Sequence, residues 1–186
     1  MDISRRDYVA NVLRMEFEQT LEGRIDRYLS INHQTVIPDH HFSSASAECI
    51  NLFRDRYFIA CICLTQSVAE GIIKFIRERN GVAQIDKESK EALAARMKDA
   101  GILSTQFVDA LGRIRRSFRD DFHHMNPKVA EVELEPLASR NIADLAAMER
   151  EIFAVSFSAN GRVQPRQLQY WDADPNGYVP AYVRLV

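Results

Sequence analysis

The segment Arg113–Asn126, RIRRSFRDDFHHMN, holds four arginines, two aspartates and two adjacent histidines. Arginine presents a planar fork of donors to phosphate oxygens, and histidine moves protons near neutral pH. Those residue types in so short a stretch suit a site that holds a phosphate and transfers a proton. The plain alternative is a solvated polar helix face whose terminal histidines complement the helix dipole.

The element that must position these groups is a helix. Phe107, Leu111, Ile114, Phe118 and either Phe122 or Met125 recur three and four residues apart, the spacing of a buried helical stripe. Ser104 is its expected N-cap, and Asn126-Pro127 its stop, because the residue before proline is pushed out of helical geometry. One continuous helix would line up Arg115, Arg119 and His123 as one polar stripe, with Arg116, Asp120 and His124 beside it. Asp120 would then accept from an imidazole or pair with Arg116. A second helix, expected over Ala47–Arg79, carries Glu70 among apolar neighbours. An acid there either snorkels to solvent or takes a partner. Arg119 or a motif histidine is the expected partner.

The hexapeptide Arg119-Asp120-Asp121-Phe122-His123-His124 resembles the R-x4-6-H signature of the HEPN superfamily, in which a polar residue commonly follows the arginine, as Asp120 does here. Tyr57–Ile76 looks like the long second helix of such domains, with Glu70 at a position where several members carry an acid. Lys90–His124 looks like their short helix, turn and motif helix. The resemblance spans roughly residues 48–126. It implies an all-α HEPN-like bundle and metal-independent cleavage of single-stranded RNA, with a homodimer bringing two motif helices together. His124 would be the acid–base residue and Arg119 the phosphate clamp. Asp120 would orient His124, and His123 would assist. Arg115, Arg116, Glu70 and Asn126 complete the candidate substrate-binding set. Some members extend the motif to R-x4-H-x-Y; Asn126 stands at that tyrosine position, which argues against regulation by modification there.

The whole chain sets limits on this reading. At 186 residues it is long enough for one cored domain with an appendage, expected as a helical unit over 1–161 and a C-terminal piece over 162–186. The net charge of −2 provides no overall field for nucleic acid, so any RNA contact needs a local patch. The 3 cysteines form neither a disulfide framework nor a paired zinc pattern, and suit reduced, buried thiols in the cytoplasm. No cofactor motif is present, and the N-terminus lacks the apolar run of a signal peptide. Tyr57–Ile76 is apolar enough to raise the question of a membrane span. Gln66, Ser67, Glu70 and Lys74 interrupt it, which favours a core helix.

The remaining elements follow from periodicity. A first helix capped by Ser4 or Asp7 runs to about Ile31, with Val9, Val12, Leu13, Phe17, Leu21, Ile25 and Leu29 as its apolar stripe. A loop with His33 and Asp39-His40-His41 invites a metal reading, though adjacent histidines rarely reach one ion. Ser44 or Ser46 should cap the Ala47–Arg79 helix. A short helix over Glu88–Ala100 and a last one over Ala138–Ser158 follow. Val163–Trp171 and Tyr178–Val186 then flank the turn-forming DADPNG, which predicts a β-hairpin or an extended arm. Three functions are open at this point. The first is a HEPN-like endoribonuclease of toxin or defence type, which a neutralising protein partner would hold in check. The second is a non-catalytic nucleotide- or protein-binding module of the same fold. The third is a metal enzyme built on the histidine loop.

Overall fold

The computed structural model describes residues 4–124 and 126–184, without the side chains of Arg119 and His123. Within these residues the fold is mostly helical. The chain forms α1 (Arg5–Ser30), β1 (Val36–Pro38), α2 (Ser43–Arg54), α3 (Phe58–Arg79), α4 (Lys90–Asp99), α5 (Thr105–Arg115), α6 (Arg119–His123), α7 (Leu134–Ile152), β2 (Val155–Phe157), β3 (Val163–Pro165) and β4 (Ala181–Val183).

Helix α3 is the centre of the bundle. Ile62, Ile72, Ile73 and Ile76 are fully buried on it, and α2, α5 and α7 pack around it. It is long and apolar enough to cross a membrane by length and composition, but 56% of its apolar window is buried inside this molecule. The helix expected over Ala47–Arg79 is in fact two. The chain breaks after Arg54, where Arg56 takes φ 68, and Tyr57 is left 64% exposed rather than in the core. The break has a packing cause. A single helix apolar nearly all round would need covering on every side, whereas folding α2 back lets it cover α3. Cys61 then lies against Cys49, its Sγ 3.5 Å from the Cys49 carbonyl oxygen. Both thiols are buried, and burial pushes the Cys61 thiol up to about 12. Thiolate chemistry is therefore suppressed at neutral pH.

Caps read from the sequence hold at several ends. Ser4 accepts from the Asp7 amide at 3.2 Å, and Ser104 accepts from the Phe107 amide at 3.1 Å. Pro136 sits in the first turn of α7, where its missing N–H leaves no helical bond unmade. That helix ends at Ile152 rather than at Ser158, because Val155–Phe157 leaves as β2 and pairs antiparallel with β3.

The expected hairpin between Val163–Trp171 and Tyr178–Val186 does not form. β3 pairs with β2, and β4 pairs antiparallel with β1, Ile37 opposite Tyr182. The DADPNG turn is real: Asp174 accepts from the Asn176 and Tyr178 amides at 2.9 and 2.8 Å, and Gly177 has φ 80. Its flanking segments are drawn to other partners because Tyr170 and Trp171 are buried in the core at 1% and 3% exposure. Arg184 completes the closure. It donates to Glu149 at 2.7 Å and to Ser46 at 2.9 Å in the interior, and Ser46 also donates to Glu149. Ser46, expected as a helix cap, is therefore part of a buried charge clasp.

The first helix departs most from its expected role. Its apolar stripe does not enter the core; none of its residues is buried.

Candidate functional site

The motif region begins with α5, which buries Phe107, Ala110, Leu111 and Ile114. Its first turn is held by Glu151, which accepts from the Ser104 amide at 3.0 Å and from the Ser104 hydroxyl at 2.5 Å. The helix does not continue to Asn126. It stops at Arg115, and Phe118 takes the left-handed conformation, φ 63, before α6 starts. A bulky residue at positive φ is disfavoured by roughly 1–3 kcal/mol, so surrounding contacts must impose it.

Those contacts are a buried polar knot. Ser117 is fully buried, and its hydroxyl donates to the Ile114 carbonyl. Gln66 of α3 donates to the same carbonyl at 2.7 Å and to the Ser117 hydroxyl at 3.0 Å. Asn141 of α7 donates to that hydroxyl at 2.8 Å. Three helices thus converge on one hydroxyl, which satisfies its full hydrogen-bonding capacity. Phe122, 5% exposed, is the apolar anchor of α6, while Phe118, expected in the same stripe, turns out to be 40% exposed.

This break corrects the two expected stripes. Arg115, Arg119 and His123 do not run along one helix, and neither do Arg116, Asp120 and His124, because α5 and α6 are separate segments. What replaces them is a cavity of about 290 Å³ lined by Gln66, Glu70, Arg115, Arg116, Phe118, Asp120 and Asp121. Four candidates therefore share one space: Glu70, Arg115, Arg116 and Asp120. Asp121, Phe118 and Gln66 join them without having been singled out. Gln66 was visible only as a polar interruption one helical turn before Glu70.

Each charged group has a defined setting. Arg115 donates to Glu70 at 2.7 Å and also to Glu91 of α4. Burial raises the Glu91 carboxyl, but hydrogen bonding led by Arg115 outweighs it and leaves the group below the usual carboxylate range. Arg116 is exposed and folds back over Gly112; a Cβ there would lie 3.3 Å from its guanidinium. Arg113, from the same arginine-rich run, turns away to a two-point pair with Asp144 at 2.7 and 2.9 Å. His124 is the exposed C-cap of α6, its amide bonded to the Asp120 carbonyl at 3.0 Å. Asn126 caps the following 3-10 turn, accepting from the Lys128 amide at 3.2 Å. The expected roles of the Arg119 and His123 side chains, including the pairing of Glu70 with Arg119, lie outside the described residues, as does Met125.

Two guanidiniums thus face three carboxylates across the described part of the cavity. Carboxylates beside arginines also relieve the repulsion of clustered positive charge.

The histidine loop is dispersed. His33 stacks edge-on to Tyr28, His40 lies 4.3 Å from the Phe75 ring centre, and His41 packs edge-on to Phe42. Among the described residues, no three of His, Cys, Asp and Glu come together as a metal-binding group. Compared with family models, curated proteins and solved structures, the chain matches none.

Proposed function

We propose that the protein is a HEPN-like, metal-independent endoribonuclease of toxin or defence type that acts on single-stranded RNA in the cytoplasm. The observation that carries this reading is the convergence of Arg115, Arg116, Asp120 and Glu70 on one open cavity at the start of α6, the segment that ends in His124. The chemistry follows from what RNA cleavage demands. The 2′-hydroxyl loses a proton as it attacks the adjacent phosphorus, and the departing 5′-oxygen gains one. His124, with His123 assisting, serves these proton transfers. Arg119 holds the phosphate and, with Arg116, stabilises the charge that builds on it. Asp120, whose carbonyl accepts from the His124 amide, orients His124, and Asn126 caps the turn that follows. A homodimer with Arg119 and His124 near the two-fold axis would repeat the site on both copies.

The test is cleavage of unstructured RNA in EDTA, with end analysis. Fragments ending in 2′,3′-cyclic phosphate and 5′-hydroxyl are expected, with activity falling as salt rises. Full loss of cleavage in EDTA, or fragments carrying 5′-phosphate, would contradict the mechanism.

One observation favours a second reading, a nucleotide- or protein-binding module without catalysis: Arg115 is already held between Glu70 and Glu91. In that case RNA or a nucleotide would bind and remain uncut.

A further inference from the structure

The wall of the motif cavity offers more hydrogen-bond acceptors than donors. Glu70, Asp120 and Asp121 bring three carboxylates to it. Gln66 is only 3% exposed yet reaches the same wall, and its Nε2 donates to the Ile114 and Arg115 carbonyls at 2.7 and 3.3 Å. Those two acceptors fix which way the amide points, so the side chain has only its carbonyl oxygen to offer the cavity. That oxygen makes no hydrogen bond among the described residues. Of the two guanidiniums at the wall, Arg115 is already held by Glu70 and Glu91. The Asp120 and Asp121 carboxylates make no hydrogen bond or ion pair among the described residues, and Asp121 is the more buried of the two. Phe118 adds an aromatic ring, 40% exposed, to the same wall.

We propose that this part of the cavity is a base subsite that takes guanine, with Phe118 as its stacking face and Asp121 as the reader of the base edge. The inference rests on RNA being the ligand of this cavity. Phosphate oxygens are themselves acceptors and gain nothing from an acceptor-rich wall. An unpaired RNA base offers a flat π-face and N–H donors, which suit an aromatic ring beside carboxylates. A carboxylate only accepts, through two oxygens side by side. Guanine alone among the four RNA bases sets two donors, N1–H and the 2-amino group, next to each other on its Watson–Crick edge. Adenine and cytosine set one amino group beside a ring-nitrogen acceptor, and uracil sets one N–H between two carbonyls. Facing Asp121, each of these three leaves an acceptor against a carboxylate oxygen and loses a charge-assisted bond. Phe118 precedes α6 and His124 caps its end, about 9 Å away along the helix axis. A stacked guanine therefore lies beside the phosphate on which His124 acts.

Titration calorimetry of the full chain with the four nucleoside 3′-monophosphates tests it, since these hold no bond for a ribonuclease to cut. Guanosine 3′-monophosphate is expected to bind at least about tenfold tighter than the other three. Inosine 3′-monophosphate, which lacks the 2-amino group, should bind about tenfold more weakly than the guanosine compound. Phe118→Ala should weaken guanosine binding by about 5- to 150-fold, the usual worth of one stacked base, and Phe118→Trp should restore it. Asp121→Asn should abolish the preference for guanosine and leave uridine binding unchanged. Neither side chain is buried, so both variants should fold. Equal affinity for the four compounds, no binding of any at millimolar concentration, or an Asp121→Asn chain that still prefers guanosine would overturn the proposal. Cleavage is read separately. A wild type that shows these preferences but cuts no RNA keeps the base subsite and loses the ribonuclease reading; one that cuts RNA without favouring guanosine does the reverse.

Discussion

Two regions of this molecule use the same chemistry to different ends. At one, Arg184, Glu149 and Ser46 form a charged cluster sealed from solvent, with side-chain exposures of 3% and 1% for the arginine and glutamate. At the other, Arg115, Glu70 and Glu91 form a charged cluster at the wall of an open cavity, with Arg115 and Glu70 each 25% exposed. In the sealed cluster every lone pair must be answered internally, so the groups bind only one another and close the C-terminal segment onto the bundle. In the open cluster water screens the pair, and its carboxylates and guanidiniums stay available to a ligand. Solvent access, more than residue type, separates a structural ion pair from a candidate binding group.

The sharpest way to break this comparison is to truncate both arginines. Arg184→Ala leaves Glu149 charged and buried, and should cost about 3–5 kcal/mol in denaturant unfolding. Arg115→Ala should cost no more than about 1 kcal/mol, because its pairs are solvent-screened. Equal losses would mean the two clusters do the same job.

A second variant connects stability to the site. Gln66→Ala removes the donor that holds the Ile114 carbonyl and Ser117, and should cost about 1–3 kcal/mol. Because the knot sets where α6 begins, RNA cleavage should fall by up to about 10²-fold, what a 1 Å misplacement can cost. A stability loss with unchanged cleavage would detach the knot from the site.

A third is milder. Gly112→Ala puts a methyl group 3.3 Å from the Arg116 guanidinium, which must shift by a few tenths of an ångström. Helix propensity should offset the crowding to within about 1 kcal/mol. RNA affinity, measured by fluorescence anisotropy, should drop a few-fold if Arg116 contacts phosphate.

The smallest effect is expected from pH at the sealed end. Burial lowers His40 from its ordinary value of 6.5, outweighing the Tyr170 carbonyl, 3.4 Å from Nε2, and Asp172 at 3.7 Å. The unfolded chain therefore takes up the proton first. The contribution of His40 is complete above 6.5 and is lost as pH falls below that toward the lower folded value. Melting temperature should decline across that window, and His40→Gln should flatten the decline.

How much of this was legible depended on whether a feature was local. The bounds of α1, the caps at Ser4 and Ser104 and the buried stripe of α3 follow from side-chain spacing alone. Glu70, Arg115, Arg116 and Asp120 were each candidates, but spacing set the last three along one continuous helix, and the cavity they share depends on the break at Phe118. The breaks at Arg56 and Phe118 were not, because neither carries a glycine or proline. Both residues take positive φ, and beside Phe118 the chain is pinned from distant elements through Gln66 and Asn141. The pairing of β4 with β1 was hidden for the same reason, since its partner lies about 150 residues earlier and Arg184 is anchored by Glu149. The exposed row of α1 has the same periodicity as a buried one, and periodicity does not say what covers it.

The central claim is that the segment ending in His124 cuts RNA, and single-turnover cleavage by wild type and His124→Ala tests it most directly. His124 is exposed, so the variant should melt as the wild type does. Its cleavage rate should fall by about 10²–10⁴-fold, the usual contribution of a general acid–base group, while RNA still binds. Equal rates for the two proteins, or no cleavage of any RNA by the wild type, would contradict the account and leave a binding module in its place.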